Sequence, residues 1–138
     1  MSTDPKTDAA LEMAARLGRR QAAESAQAKR LVEQFARDAL AAGIAPTRLT
    51  ARSYSGEGRY RTNVVGWYLK RDRSIGVGTD GSFYVLHCPG GLAARLKGVT
   101  LTPTDPPLEL GRGARDGESM PIADALAKRL AGGSSWGS

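Results

Sequence analysis

The chain predicts an α+β fold: a long N-terminal helix, an antiparallel β-meander of three to five strands and a short C-terminal helix. Three observations point there. Good helix formers dominate from Thr7 to Gly43, β-favouring runs divided by Gly and Pro turns fill residues 44–110, and an Ile122/Leu126/Leu130 stripe follows Pro121. The length of 138 residues suits a single domain with one core, and 41% apolar with 25% charged residues is ordinary globular composition.

Thr7 or Asp8 is the expected cap of the first helix and Gly43 its expected stop. The apolar stripe is strongest near the C-terminal end, through Leu31, Val32, Phe35, Ala36, Ala39 and Leu40. Earlier it thins to Leu11, Ala14, Leu17 and Ala22, with Gly18 as a weak point. Glu12–Arg16 and Glu33–Arg37 are i,i+4 pairs in the favourable orientation. A straight helix of ~35 residues would extend ~50 Å, longer than a compact domain of this size. Residues 1–25 are therefore expected to break near Gly18 or to project as an arm. Small and polar residues in the middle of the seam argue against a two-stranded coiled coil.

Ala45-Pro46 marks a turn. In Arg48–Tyr54, Leu49, Ala51 and Ser53 alternate with Arg48, Thr50 and Arg52, a strand with one basic face. Ser55–Gly58 reads as a loop, Arg59–Arg71 as a strand around Val64–Leu69, Asp72-Arg73 as a turn and Ser74–Thr79 as a short strand. Asp80-Gly81 predicts a type I′ hairpin leading into a strand over Ser82–Cys88. Pro89-Gly90-Gly91 ends the sheet, Leu92–Leu96 suits one helical turn, and Val99–Thr102 and Leu108–Leu110 suit short strands. Gly111–Gly117 reads as a loop, residues 119–131 as a helix with an Asp124–Lys128 pair, and residues 132–138 as a flexible tail. The helices are expected to cover one sheet face and leave the other to solvent or a partner.

The charge is concentrated. Of a net +6, +5 falls within Arg48–Arg73, where Arg48, Arg52, Arg59, Arg61, Lys70, Arg71 and Arg73 face only Glu57 and Asp72. Both flanks are nearly neutral, so the overall preference for Arg over Lys, which looks like a GC-rich bacterial genome, does not explain the cluster. Tyr54, Tyr60, Trp67 and Tyr68 lie inside the same window. Cations interleaved with aromatic rings suit a polyanion with flat bases, since they offer phosphate pairing and stacking together. Arg59 and Arg61 share a face of an extended strand, as do Arg48 and Arg52, and Arg71 and Arg73 if no tight turn intervenes. Tyr54 and Tyr60 flank a turn from which rings reach bases, whereas Trp67 alternates with Val65 and Leu69 and belongs to the core.

No catalytic or cofactor constellation stands beside this window. Gly76-Val77-Gly78-Thr79-Asp80-Gly81 matches G-x-G-x-x-G in letters, but a strand follows it where a dinucleotide site needs a helix N-terminus. Gly111-Arg112-Gly113 with Arg115 reads as a plain loop before an anion-binding turn. His87 and Cys88 are the only His and Cys; adjacent strand residues point to opposite faces, so they do not form a nucleophile–base pair. The inventory supplies no recognisable set of three or four zinc ligands, and Gly117–Pro121 only echoes a serine nucleophile elbow. Asp116 and Glu118 sit in a Gly-rich loop without the apolar setting of a general acid.

The expectation is a non-enzymatic bacterial binding module without cofactor or metal. It engages nucleic acid or another polyanion through Arg48, Arg52, Tyr54, Arg59, Tyr60, Arg61, Lys70, Arg71 and Arg73. The alternative is an assembly module whose N-terminal helix docks through Leu31, Val32, Phe35 and Ala39 on a second copy or an acidic protein. No apolar run approaches the ~18 residues that span a bilayer, Met1–Asp8 is polar, and one cysteine gives no internal disulfide. Cytoplasmic localisation without membrane insertion is expected.

Overall fold

Helix α1 (Pro5–Ala41) follows from its composition, but its start differs from expectation. Asp4 is the cap, its carboxylate accepting from the Lys6 N–H at 3.1 Å, with Pro5 preset for the first turn. The computed structural model describes residues 4–111 and 119–136. Gly18 does not break the helix: 37 residues run on for about 55 Å at the standard rise. The C-terminus closes as a Schellman motif. The N–H of Ile44 bonds Ala39 O, that of Gly43 bonds Leu40 O, and Gly43 takes the left-handed conformation at φ 74°. No helix is long and apolar enough to cross a membrane among the described residues.

The meander comprises β1 (Thr47–Ser53), β2 (Arg59–Tyr68), β3 (Ile75–Gly78) and β4 (Phe83–Val85), each antiparallel to the next. One residue beyond β4, β5 (His87–Cys88) pairs in parallel with β1 at the opposite edge. At the junction, Leu86 donates its N–H to Ser74 O and accepts from Arg52 N, both at 2.9 Å. The single run 83–88 therefore touches both edges and closes the sheet into a small barrel, which removes its unpaired edges.

Closure demands curvature, and β2 supplies it. Between the Arg48↔Val65 and Thr50↔Arg61 pairs, β1 advances two residues and β2 four. Thr62 fills this bulge. Its hydroxyl donates to Leu49 O at 2.8 Å and accepts from Val64 N at 3.1 Å. The strand then curls far enough for the Tyr68 hydroxyl to reach Thr50 N at 2.9 Å. A Cβ at Gly66 would fall on the Val77 carbonyl oxygen, and one at Gly76 would meet Leu49. Gly76, the first glycine of the nucleotide-like motif, thus serves close packing within the wall.

The side-chain alternation sorts residues into two cores. Leu49, Ala51, Val64, Tyr84, Leu86 and Cys88 fill the barrel interior with Tyr60 and Tyr68. Trp67, Leu69, Val77 and Phe83 point outward against α1 and the C-terminal helix α3 (Ile122–Gly132). The apolar face of β1, expected to lie beneath the helices, instead lines the barrel interior, because curling turned it upon itself, and the helices pack on part of the outer face that the arginines share. In the outer core, Phe35 meets Trp67 edge-on at 5.7 Å, and the Trp67 indole N–H donates to Ile44 O at 2.9 Å. Val32, Phe35 and Ala39 are buried there, with Leu31 packed beside them. The stripe expected to dock on a partner is the chain's own core, because Trp67 and α3 claim it.

Smaller departures have local causes. The Asp80-Gly81 hairpin is a three-residue loop rather than a type I′ turn: Gly81 N–H bonds Gly78 O, and only Gly81 has positive φ, 85°. Gly81 also lies against Glu33, while Arg37 bonds Gln34 at 2.8 Å, so the Glu33–Arg37 pair does not form. Glu12–Arg16 does, at 3.6 Å. A short α2 spans Leu92–Lys97, and Val99 makes only a bridge to Thr62. Strand β6 (Glu109–Leu110) pairs with β7 (Met120–Pro121). The start of the tail is ordered by Arg129, whose guanidinium donates to Tyr68 O and Gly133 O at 2.9 Å and lies 4.5 Å over the Trp136 ring. Expectations for residues 112–118 and for the last two residues lie outside the described residues.

Replacing Gly66 with Ala should destabilise the barrel by about 3 kcal/mol, since the new methyl collides with backbone rather than with a mobile side chain. Urea denaturation followed by far-UV circular dichroism measures this. A loss under about 0.5 kcal/mol would contradict the tight wall.

Candidate nucleic-acid interface

Outward-facing positions of the barrel divide in two. Helices cover Trp67, Leu69, Val77 and Phe83, while Arg48, Arg52, Arg61, Asn63, Val65 and Val85 stay exposed. On the bare half the register places Arg52 opposite Arg59 in β2 and beside His87 in β5. His87, Arg52 and Arg59 thus form a lateral row across three strands, with neighbours about 4.8 Å apart.

Contacts extend this row around one end of the barrel. The Arg59 guanidinium donates to the Thr50 hydroxyl at 2.7 Å, to Thr50 O at 2.9 Å and to Arg73 O at 3.2 Å. The Thr50 hydroxyl also meets the Tyr68 hydroxyl at 3.2 Å, and the Arg73 guanidinium lies 5.6 Å from the Tyr68 ring. Arg59 is therefore pinned, which lowers the entropy lost when it binds a ligand.

Arg71 and Arg73 do not share a strand face. A tight turn closed by the Arg73 N–H on Lys70 O intervenes, and Arg73 adopts φ 60°, the left-handed region that favours glycine. Asp72 caps this turn by accepting from the Ser74 N–H at 3.0 Å and the Ser74 hydroxyl at 2.6 Å. Partial burial opposes its ionisation, but the Ser74 hydrogen bonds, with Lys70 and His87, outweigh that and hold its carboxyl below the usual range. Lys70 pairs with Asp72 at 3.8 Å and so gives up part of its free charge.

The remaining expected residues fall into three groups. Arg52, Arg61 and Arg71 are exposed and, among the described residues, make no side-chain hydrogen bond or ion pair. Arg48 is exposed but bends back to donate to Thr62 O at 2.9 Å. Of the tyrosines, Tyr54 is 74% exposed, whereas Tyr60 turns inward against the barrel core and accepts from the Gly91 N–H at 3.4 Å. Tyr60 is partly buried because β2 alternation assigns even-numbered residues to the interior, and it shares a surface cleft with Tyr54, Gly91 and Arg95.

Sequence reasoning missed Thr50, Tyr68 and His87 as members of this rim. His87 stacks on Tyr54 with centroids 6.4 Å apart and planes within 7°. Cys88 faces the interior, and burial raises its thiol above the ordinary value, so it is an unreactive core group. Among the described residues no group of three or more His, Cys, Asp or Glu side chains could hold a metal ion. The chain matches no protein-family model, and no curated protein or solved structure is significantly similar to it.

Arg73→Gly separates charge from stability. Removing left-handed strain offsets the added glycine entropy, so the unfolding free energy should stay within about 1 kcal/mol of the parent. Thermal unfolding checks this; a collapse of stability would show that the Arg73–Tyr68 contact holds the turn together.

Proposed function

We propose that the chain is a non-enzymatic binding module that engages nucleic acid, chiefly through its phosphates, on the bare basic half of the barrel. The observation that supports this most is the lateral pairing of Arg52 with Arg59, continued to Arg73 and flanked by exposed Arg61 and Arg71. Like charges placed side by side repel and cost stability. A phosphate backbone relieves that repulsion and gains entropy from released counterions. Backbone and threonine oxygens hold Arg59 in place without neutralising it, so its charge remains for a ligand.

Titration of the protein against labelled oligonucleotides across a salt series tests this reading. A log–log slope of about −3 to −4 is expected, with about 0.9 per neutralised phosphate on duplex. Because Arg52, Arg61 and Arg71 are exposed and make no side-chain hydrogen bond or ion pair among the described residues, their simultaneous reversal to Glu should leave the thermal midpoint near the parent. The same change should weaken binding at least ~100-fold at low salt. Unchanged binding by that variant would sink the assignment.

A second reading, assembly through the N-terminal helix, draws on the bare part of α1. Among the described residues the first buried one is Ala28, and Leu11, Met13 and Leu17 are 63%, 54% and 51% exposed on the arm before it. Deleting residues 1–25 should leave the salt slope intact and alter the mass measured by light scattering. A monomer both with and without the arm rules this reading out.

A further inference from the structure

We propose that the Tyr54–His87 pair is a stacking site for an unpaired nucleobase, so that the ligand of the basic rim is a single strand rather than a duplex. This rests on the reading above and adds what the rim selects. Three features of the pair carry it.

The first is exposure without freedom. Tyr54 is 74% exposed, yet its backbone N–H is tied to Cys88 O at 3.1 Å and its ring lies parallel to the His87 imidazole. A large aromatic face is thus held open to solvent in a set orientation, which reduces the ordering cost of adding another flat ring. The parallel planes and the 6.4 Å centroid separation fall within the range of offset-stacked aromatic pairs.

The second is position relative to charge. His87 pairs laterally with Arg52, and Arg52 with Arg59, so the ring pair ends the cationic row at strand spacing. A strand whose phosphates track Arg52 and Arg59 brings its next base to Tyr54. Base faces in a duplex are covered by their own neighbours, and only an unpaired base has a face to offer.

The third is the groove beside the rings. Tyr54, Val85, His87, Thr100, Thr102 and Thr104 line an open groove between the run 83–88 and the segment after α2. Asn63, carried outward by the β2 bulge, fixes that segment by accepting from Leu101 N at 2.7 Å and donating to Leu101 O at 3.3 Å. The groove contributes an apolar floor at Val85 and threonine hydroxyls for base edges, without fixed charge. Such a lining tolerates any base, which predicts weak sequence preference.

Three probes of equal length separate the possibilities in a fluorescence anisotropy titration at low salt: a twelve-nucleotide oligo-dT, a duplex, and an abasic oligomer with the same phosphates. Oligo-dT should bind about tenfold or more tighter than the abasic oligomer and the duplex. Tyr54→Ala should abolish this preference while retaining the parent's unfolding midpoint, since the side chain is exposed. Tyr54→Phe, which keeps the ring, should restore it. Arg52→Glu should weaken all three probes together. Equal binding of oligo-dT and the abasic oligomer, or a preference that survives Tyr54→Ala, overturns the stacking site and leaves the basic rim standing. No binding of any probe overturns both.

Discussion

Leu86 donates its backbone N–H toward β3 and accepts from β1 through its carbonyl, and this crossing converts an open meander into a closed barrel. Everything distinctive about the molecule follows from that closure. An open sheet would present one face to the helices and the other to water. A closed one has an inside and an outside, and the outside is too large for two helices to cover. The interior takes Leu49, Ala51, Val64, Leu86 and Cys88, and Gly66 and Gly76 lack side chains where the wall is closest. The uncovered exterior is the basic half.

The same geometry accounts for the division of α1. Its last four turns lie along Trp67 and α3 and bury Val32, Phe35, Ala36 and Ala39. Burial along α1 begins at Ala28, so the stripe continues through Leu17, Met13 and Leu11 past the end of its own core. Residues that look like one amphipathic helix on paper therefore belong to two environments: a densely packed core from Ala28 onward and, among the described residues, a largely exposed stretch before it.

Charge on the exterior is organised by backbone geometry rather than by ion pairs. Among the described residues the ion pairs are Glu12–Arg16 and Lys70–Asp72, neither central to the row. Arg59 is anchored by the Thr50 hydroxyl and by carbonyl oxygens, and Arg129 on the helical side likewise by the carbonyls of Tyr68 and Gly133. Carbonyl anchoring fixes a guanidinium while leaving its net charge in place. That is the condition under which a cationic surface stays attractive to an anion.

Local pattern determined much of this protein by itself. Helix composition, the period-two alternation of β1 and β2, the place of the hairpin at Asp80-Gly81, though not its turn type, and the concentration of charge in Arg48–Arg73 are all properties of neighbouring residues. They predicted an α+β chain with a long N-terminal helix, a core Trp67 and opposite faces for His87 and Cys88. Tertiary structure alone decided the closure at Leu86, the β2 bulge at Thr62, the inward turn of Tyr60 and the meeting of Tyr54 with His87, which lie 33 residues apart. It also decided that Leu31, Val32, Phe35 and Ala39 belong to this chain's own core. The physical reason is that alternation tells which residues share a face, whereas curvature decides whether that face looks inward, toward a helix or out to water.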